Sequence, residues 1–91
     1  MKTFRDLVVW QRAIDFATIV YKITSHFPAT EIYGLTSQLR RASVSISSNI
    51  AEGSKRGSKK EFAHFLRMAQ GSWAEIESQI LIAKNLKLLS S

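Results

Sequence analysis

The strongest constraint on the fold is a row of apolar residues in the last third of the chain. Its members recur at alternating steps of four and three: Phe62, Leu66, Ala69, Trp73, Ile76, Ile80 and Ala83. This spacing places them along one stripe of an α-helix, as in the heptad repeat of coiled coils. Ser58 and Glu61 precede the row with the spacing of a capping box. The sequence therefore predicts a helix over residues 59–87 with an apolar seam, in which Trp73 is a core residue.

A second helix is predicted over residues 31–55, although part of it alternates like a strand. The stretch SVSISSNI, residues 43–50, would favour a β-strand by its alternation and β-branching. Apolar residues nevertheless keep a helical spacing through it: Ile32, Leu35, Leu39, Ala42, Ile46 and Ile50. No helix-breaking residue interrupts this register before Gly53. Thr30 is the expected N-cap, and Glu31 is favourably placed at the positive end of the helix dipole.

The first segment has a wide apolar surface. These residues gather on one side of a helical wheel: Val9, Trp10, Ala13, Ile14, Phe16, Ala17, Val20, Tyr21, Ile23 and Phe27. The arc covers roughly 200° of the circumference, so this helix is expected to contact more than one neighbour. Thr3 and Asp6 are start signals and Pro28 is a stop signal, which predicts a helix over residues 6–26.

Three amphipathic helices with short connections predict an all-α fold, an antiparallel up-down helical bundle that forms a single domain over residues 1–91. A 91-residue domain leaves much of its surface exposed unless it associates. Together with the wide arc of the first helix, this predicts a homo-oligomer.

Composition argues against most catalytic and membrane functions. The chain has no cysteine, and its two histidines, His26 and His64, are isolated, so we expect neither disulfides nor a metal site. The serine-rich stretch has no histidine at helical spacing, and we therefore expect no catalytic residues, no cofactor and no enzymatic activity. No apolar run is long enough for a membrane span or a secretory signal, so the expected location is cytoplasmic.

Basic residues are concentrated around the turn between the second and third helices. Thirteen Lys and Arg outnumber seven Asp and Glu, which gives a net charge of +6. Those near the turn and on adjoining helix faces are Arg40, Arg41, Lys55, Arg56, Lys59, Lys60 and Arg67. Such a cluster is either a solvated turn or a surface that contacts the phosphates of a polyanion. These seven residues are the candidate nucleic-acid contacts.

A further set of residues suggests packing between helices or between copies. Gly71, in the middle of the third helix, costs about 1 kcal/mol relative to alanine, which indicates close packing there. Gly71, Ala74 and Ser78 lie opposite the apolar seam, where they either admit another backbone or form ordinary solvent surface. On the second helix, Asn49 and Glu52 belong to a polar stripe that also contains Gln38, Ser45 and Arg56. The stripe is expected to form a polar network with a neighbouring helix, with ligand binding as the alternative. Glu52 is also spaced to pair with Arg56. Trp10 completes the candidate packing residues.

Three stretches of the sequence resemble a known family. They are FRDLVVWQRA (residues 4–13), YGLTSQLRRASVSISSNIAEG (residues 33–53) and KKEFAHFLRMAQGSWAEIESQILIA (residues 59–83). They are similar to the bacterial four-helix-bundle family named after the 23S rRNA intervening-sequence protein, which is related to the accessory variability determinant of diversity-generating retroelements. The resemblance implies a four-helix bundle that here lacks its last helix, homo-oligomers that are often pentamers, and a nucleic-acid or ribonucleoprotein role.

Two functional hypotheses follow. The first is a non-enzymatic, oligomeric protein that binds RNA or DNA through Lys and Arg contacts to phosphates. The alternative is a protein-protein adaptor that docks a partner, such as a polymerase or reverse transcriptase, on its helix faces. Salt-dependent binding of nucleic acid favours the first, whereas a protein partner retained at high salt favours the second.

Overall fold

The computed structural model describes residues 3–89 and confirms an all-α fold of three long helices. Helix α1 spans Val8–Thr24, α2 spans Leu35–Ser54 and α3 spans Lys59–Asn85. The strand-like stretch at residues 43–50 lies inside α2, so the helical register overrides its local β-preference. The expected domain ends at residues 1–2 and 90–91 lie outside the described residues.

The first helix begins two residues later than predicted because a 3₁₀ turn, Phe4–Asp6, precedes it. Thr3 and Asp6 do form reciprocal caps, but they cap this turn. The Thr3 hydroxyl accepts the N–H of Arg5 at 3.1 Å, and the Thr3 N–H donates to the Asp6 carboxylate at 3.2 Å. The start signal in the sequence was therefore genuine, and it marks a short turn rather than α1.

The predicted start of the second helix was wrong by four residues. A second 3₁₀ turn, Ala29–Glu31, follows Pro28 and contains Thr30, so Thr30 is not the N-cap of α2. Gly34 occupies the N-cap position, and the Glu31 carboxylate reaches forward to accept the N–H of Leu35 at 3.2 Å. Glu31 thus stabilises the start of α2 from outside the helix. Its negative charge also interacts favourably with the positive end of the helix dipole.

Helix α2 is the centre of the molecule. It packs against α1 on one side and α3 on the other, whereas no Cα of α1 comes within 8 Å of a Cα of α3. The buried apolar core collects residues from all three helices and the first connection: Ala13, Ala17, Val20, Phe27, Leu35, Leu39, Ala42, Ile46, Ile50, Ala69, Ile76 and Ala83. The up-down order is as predicted, but the bundle is open between α1 and α3.

The open side explains why half of the predicted seam on α3 is not buried. Ala69, Ile76 and Ala83 are buried, but Trp73 is 46% exposed and Ile80 is 39% exposed. Because α3 packs on α2 alone, residues on the side of the seam that faces α1 border the open space. The prediction that Trp73 is a core residue was therefore wrong.

Candidate nucleic-acid interface

The turn between α2 and α3 presents four basic side chains within six residues. Lys55 is the C-cap residue of α2, and the exposed side chains of Arg56, Lys59 and Lys60 follow it. Gly57 has a positive φ of 84°, a conformation that glycine adopts without strain, and it lets the chain reverse here. The predicted Ser58 cap is confirmed, since its hydroxyl accepts the N–H of Glu61 at 3.1 Å.

The N-terminal 3₁₀ turn is packed against the same end of the bundle. The Lys55 ammonium lies 5.6 Å from the centre of the Phe4 ring, and that ring packs edge-on against Trp10 at 5.1 Å. The Gln11 side chain donates to the carbonyl of Arg5 at 2.8 Å and fixes the turn to α1. Arg5 follows Phe4 in this turn, so it lies at the same end of the bundle as the four basic residues of the hairpin. We call Arg5, Lys55, Arg56, Lys59 and Lys60 the basic end.

Carboxylates at the basic end are engaged in local contacts. Glu52 accepts a hydrogen bond from Arg56 at 2.8 Å, as its spacing predicted. Glu61 accepts one from the Ser58 hydroxyl at 3.4 Å. Both partners of the Glu52–Arg56 pair are about half exposed, so the pair contributes little to stability and can exchange for another anion.

The three remaining predicted nucleic-acid contacts do not lie at the basic end. Arg41 is exposed on the outer face of α2, and fourteen residues of helix place it about 21 Å from Lys55. Arg67 is exposed on α3, about two turns beyond Lys60. The Arg40 side chain is half-buried against the end of α1, where it donates to Thr24 at 2.9 Å.

Almost the whole chain matches the model of one protein family. The model described as 23S rRNA-intervening sequence protein matches residues 5–91, which include all three helices and the basic end. The chain belongs to this family. No curated protein matches the chain.

In this family member, the polar stripe of α2 contacts α3 through a serine pair. The Ser72 hydroxyl donates to the Ser45 hydroxyl at 3.0 Å. Asn49 is buried beside them, but its amide donates to Ser45 in its own helix, at 2.8 Å to the carbonyl and 3.0 Å to the hydroxyl. Asn49 therefore orients the residue that bridges the helices. Trp10 is half-buried against the core.

The small-residue face of α3 has no neighbour within the described chain. Gly71, Ala74 and Ser78 are all exposed. A Cβ placed on Gly71 would have no other residue's atom within 4 Å, apart from its chain neighbours and the backbone of its own helix. Close packing at Gly71 is thus not a property of the single chain, and its role between copies stays a prediction.

Residues 3–89 contain no group of three or more His, Cys, Asp or Glu side chains that could hold a metal ion. Within the same range, no helix is long and apolar enough to cross a membrane.

Proposed function

We propose that this protein is a non-enzymatic, oligomeric nucleic-acid-binding protein whose basic end contacts phosphates. The observation that carries the proposal is the cluster of Lys55, Lys59 and Lys60 at the α2–α3 hairpin. The N-terminal turn that contains Arg5 packs against Lys55 through Phe4, while Glu52 and Glu61 are engaged locally. Lys and Arg side chains at such spacing attract a phosphate backbone with little dependence on base sequence.

Two further features support binding at this end. Helix α3 begins there, so the positive end of its dipole adds to the charge of the lysines. Arg56 lies over the face of Phe65, 4.9 Å from the ring centre, which holds its guanidinium at the surface beside the hairpin. The family name refers to an intervening sequence of 23S rRNA, and structured RNA is therefore the first nucleic acid to test.

Fluorescence anisotropy with a labelled RNA hairpin, measured over a series of salt concentrations, tests the proposal. Contacts to about four phosphates should give a slope near −3 to −4 in a plot of log K against log salt. The triple variant Lys55→Glu, Lys59→Glu, Lys60→Glu should weaken binding by at least about tenfold at moderate salt. A parallel titration with duplex DNA shows whether the protein distinguishes the two.

The matched control reverses three lysines outside the basic end: Lys22→Glu, Lys84→Glu and Lys87→Glu. It changes the net charge by the same amount, so a local interface predicts a much smaller loss of affinity. Equal losses in the two triple variants would show that binding depends on overall charge alone. An absence of binding by the wild-type protein at low salt would refute the proposal.

A further inference from the structure

An open hollow of about 210 Å³ lies in the α2–α3 hairpin, within the basic end. Its wall is formed by the end of α2, the chain reversal and the start of α3: Gly53, Ser54, Gly57, Ser58, Lys59 and Phe62. Five of these six residues are small or flexible, and Phe62 is the only ring among them. The hollow therefore places one aromatic side chain next to the lysines that the proposed function assigns to phosphate contacts.

Two glycines leave the hollow unfilled by the chain itself. A Cβ placed on Gly57 would meet no atom within 4 Å apart from its chain neighbours, so this part of the wall faces open space. A Cβ placed on Gly53 would lie 3.1 Å from Cδ1 of Phe62, which shows that the Phe62 ring packs directly on the backbone of α2. The ring is thus supported from below by α2 and remains half-buried rather than covered.

The Phe62 ring also has no aromatic or cationic neighbour within residues 3–89. The other half-buried phenylalanines each contact another ring: Phe4 contacts Trp10, Phe16 contacts Trp73 and Phe65 contacts His64. Two of them also lie beneath a basic side chain, Phe4 beneath Lys55 and Phe65 beneath Arg56. Phe62 has neither kind of contact, so its exposed surface is available to a planar group from outside the chain.

Polar groups in the wall complement such a planar group. The Ser54 hydroxyl donates to the carbonyl of Ala51 at 2.8 Å, so its oxygen can still accept a hydrogen bond from the edge of a base. Lys59 is exposed and forms no ion pair within the described part of the chain. The hollow thus combines a ring for stacking, an acceptor for a base edge and a cation for a phosphate.

We propose that this hollow binds one unpaired base of an RNA strand, stacked on Phe62, while Lys59 contacts a phosphate beside that base. The inference rests on the proposed function, because the basic end must first hold the phosphates of the strand. A paired base stacks within its own helix and would have to leave it to enter the hollow, which costs free energy. The hollow therefore favours loops and single strands over duplexes, with little preference among bases because every base has a stacking surface.

Fluorescence anisotropy with two labelled oligoribonucleotides tests this assignment on the wild-type protein. One is a short single strand, and the other is an abasic strand of the same length, which keeps all the phosphates. The intact strand should bind about tenfold more tightly, as expected for stacking of one base on an aromatic ring. The two strands should show the same slope of log K against log salt, since their phosphate contacts are the same.

The variant Phe62→Leu tests the role of the ring. Leucine keeps an apolar side chain against α2 but has no flat surface, so affinity for the intact strand should fall to that of the abasic strand. Binding of the abasic strand should not change. The matched control Phe16→Leu makes the same change at a half-buried ring that packs on Trp73 and does not line the hollow, and it should keep the tenfold difference. Circular dichroism establishes that both variants keep their helical content.

Stacking can also be followed directly with 2-aminopurine, a fluorescent adenine analogue whose emission falls when its ring stacks on another ring. A single strand that carries this base should lose emission when it binds the wild-type protein or Phe16→Leu. The same strand bound to Phe62→Leu should keep most of its emission. An equal loss of emission with all three proteins would place the stacked base on another ring and overturn the assignment.

The outcomes separate this inference from the proposed function. Equal affinity of the wild-type protein for the intact and abasic strands would overturn the base-binding hollow, while phosphate binding at the basic end would stand. A tenfold difference that persists in a folded Phe62→Leu protein would also overturn it. Failure of the wild-type protein to bind either strand at low salt would instead refute the proposed function, and the hollow with it.

Discussion

Arg40 of α2 donates from Nε to the hydroxyl of Thr24, at the last residue of α1, over 2.9 Å. Thr24 is 3% exposed and donates in turn to the carbonyl of Val20 at 2.7 Å. The Arg40 guanidinium also lies 4.6 Å from the centre of the Tyr21 ring and donates to the Tyr21 carbonyl at 3.4 Å. Arg40 therefore supplies a donor and a positive charge to the C-terminal end of α1, where both are stabilising.

Replacing Arg40 with alanine should lower the free energy of unfolding by about 2 kcal/mol, because a charged hydrogen bond to a buried hydroxyl and the cation at the helix end are both lost. Urea denaturation at fixed protein concentration measures the change. Arg41→Ala is the matched control, since its side chain is exposed and its replacement should change stability by less than about 0.5 kcal/mol. Equal effects of the two substitutions would contradict this role of Arg40.

Gly53 near the end of α2 cannot accept a side chain without movement of α3. A Cβ at this position would lie 2.5 Å from the Cβ of Phe65. Gly53→Ala should therefore lower the free energy of unfolding by about 2 kcal/mol, the cost of overpacking a helix interface. Thermal denaturation followed by circular dichroism measures the loss, and an unchanged melting temperature would show that the two helices separate easily.

Gly71 in α3 should respond in the opposite direction. Its Cβ position is open within the described chain, so Gly71→Ala should raise the stability by about 1 kcal/mol through helix propensity alone. The same variant should leave the sedimentation coefficient unchanged if copies do not pack against this face. Loss of assembly in Gly71→Ala would instead support close packing of a second copy on this face.

The Ser58 cap of α3 should contribute about 1 kcal/mol to the free energy of unfolding. Ser58→Ala removes this contribution because it removes the acceptor for the N–H of Glu61. Ser48→Ala is the control, because Ser48 is exposed in the middle of α2 and alanine is the better helix former there. Denaturant titration should thus show a loss for the first variant and no loss for the second. If Ser58→Ala left the free energy of unfolding unchanged, Glu61 or solvent would have to replace the cap.

Gln79 is a site where stability can be gained. It is buried in α3, its side-chain oxygen has no hydrogen-bond partner within residues 3–89, and its amide makes only a long contact of 3.4 Å to Gln38. Gln79→Leu should raise the free energy of unfolding by about 1 kcal/mol, since an unsatisfied buried acceptor is replaced by an apolar group of similar volume. A loss of stability would indicate that the amide is hydrogen-bonded in solution.

Short-range spacing in the sequence was sufficient to predict the three helices, the Ser58 cap and the Glu52–Arg56 pair. Each depends on residues three or four positions apart, whose relative placement a helix fixes by itself. The starts of α1 and α2 were misplaced because the signals Thr3 and Thr30 do not distinguish a 3₁₀ turn from the first turn of an α-helix. The hairpin lysines were predicted for the same local reason, since they are neighbours in the chain.

Only the tertiary structure decided which apolar residues become buried and which basic residues converge. The contact of Phe4 with Lys55, a pair separated by fifty residues, places the turn that contains Arg5 at the hairpin end of the bundle. The Arg40 side chain lies away from that end because it donates to Thr24 at the end of α1. Trp73 shares a heptad seam with Ile76, yet Ile76 is buried and Trp73 borders the open space between α1 and α3. Periodicity gives the direction of a side chain from its own helix axis, but burial depends on where the other helices pack around it.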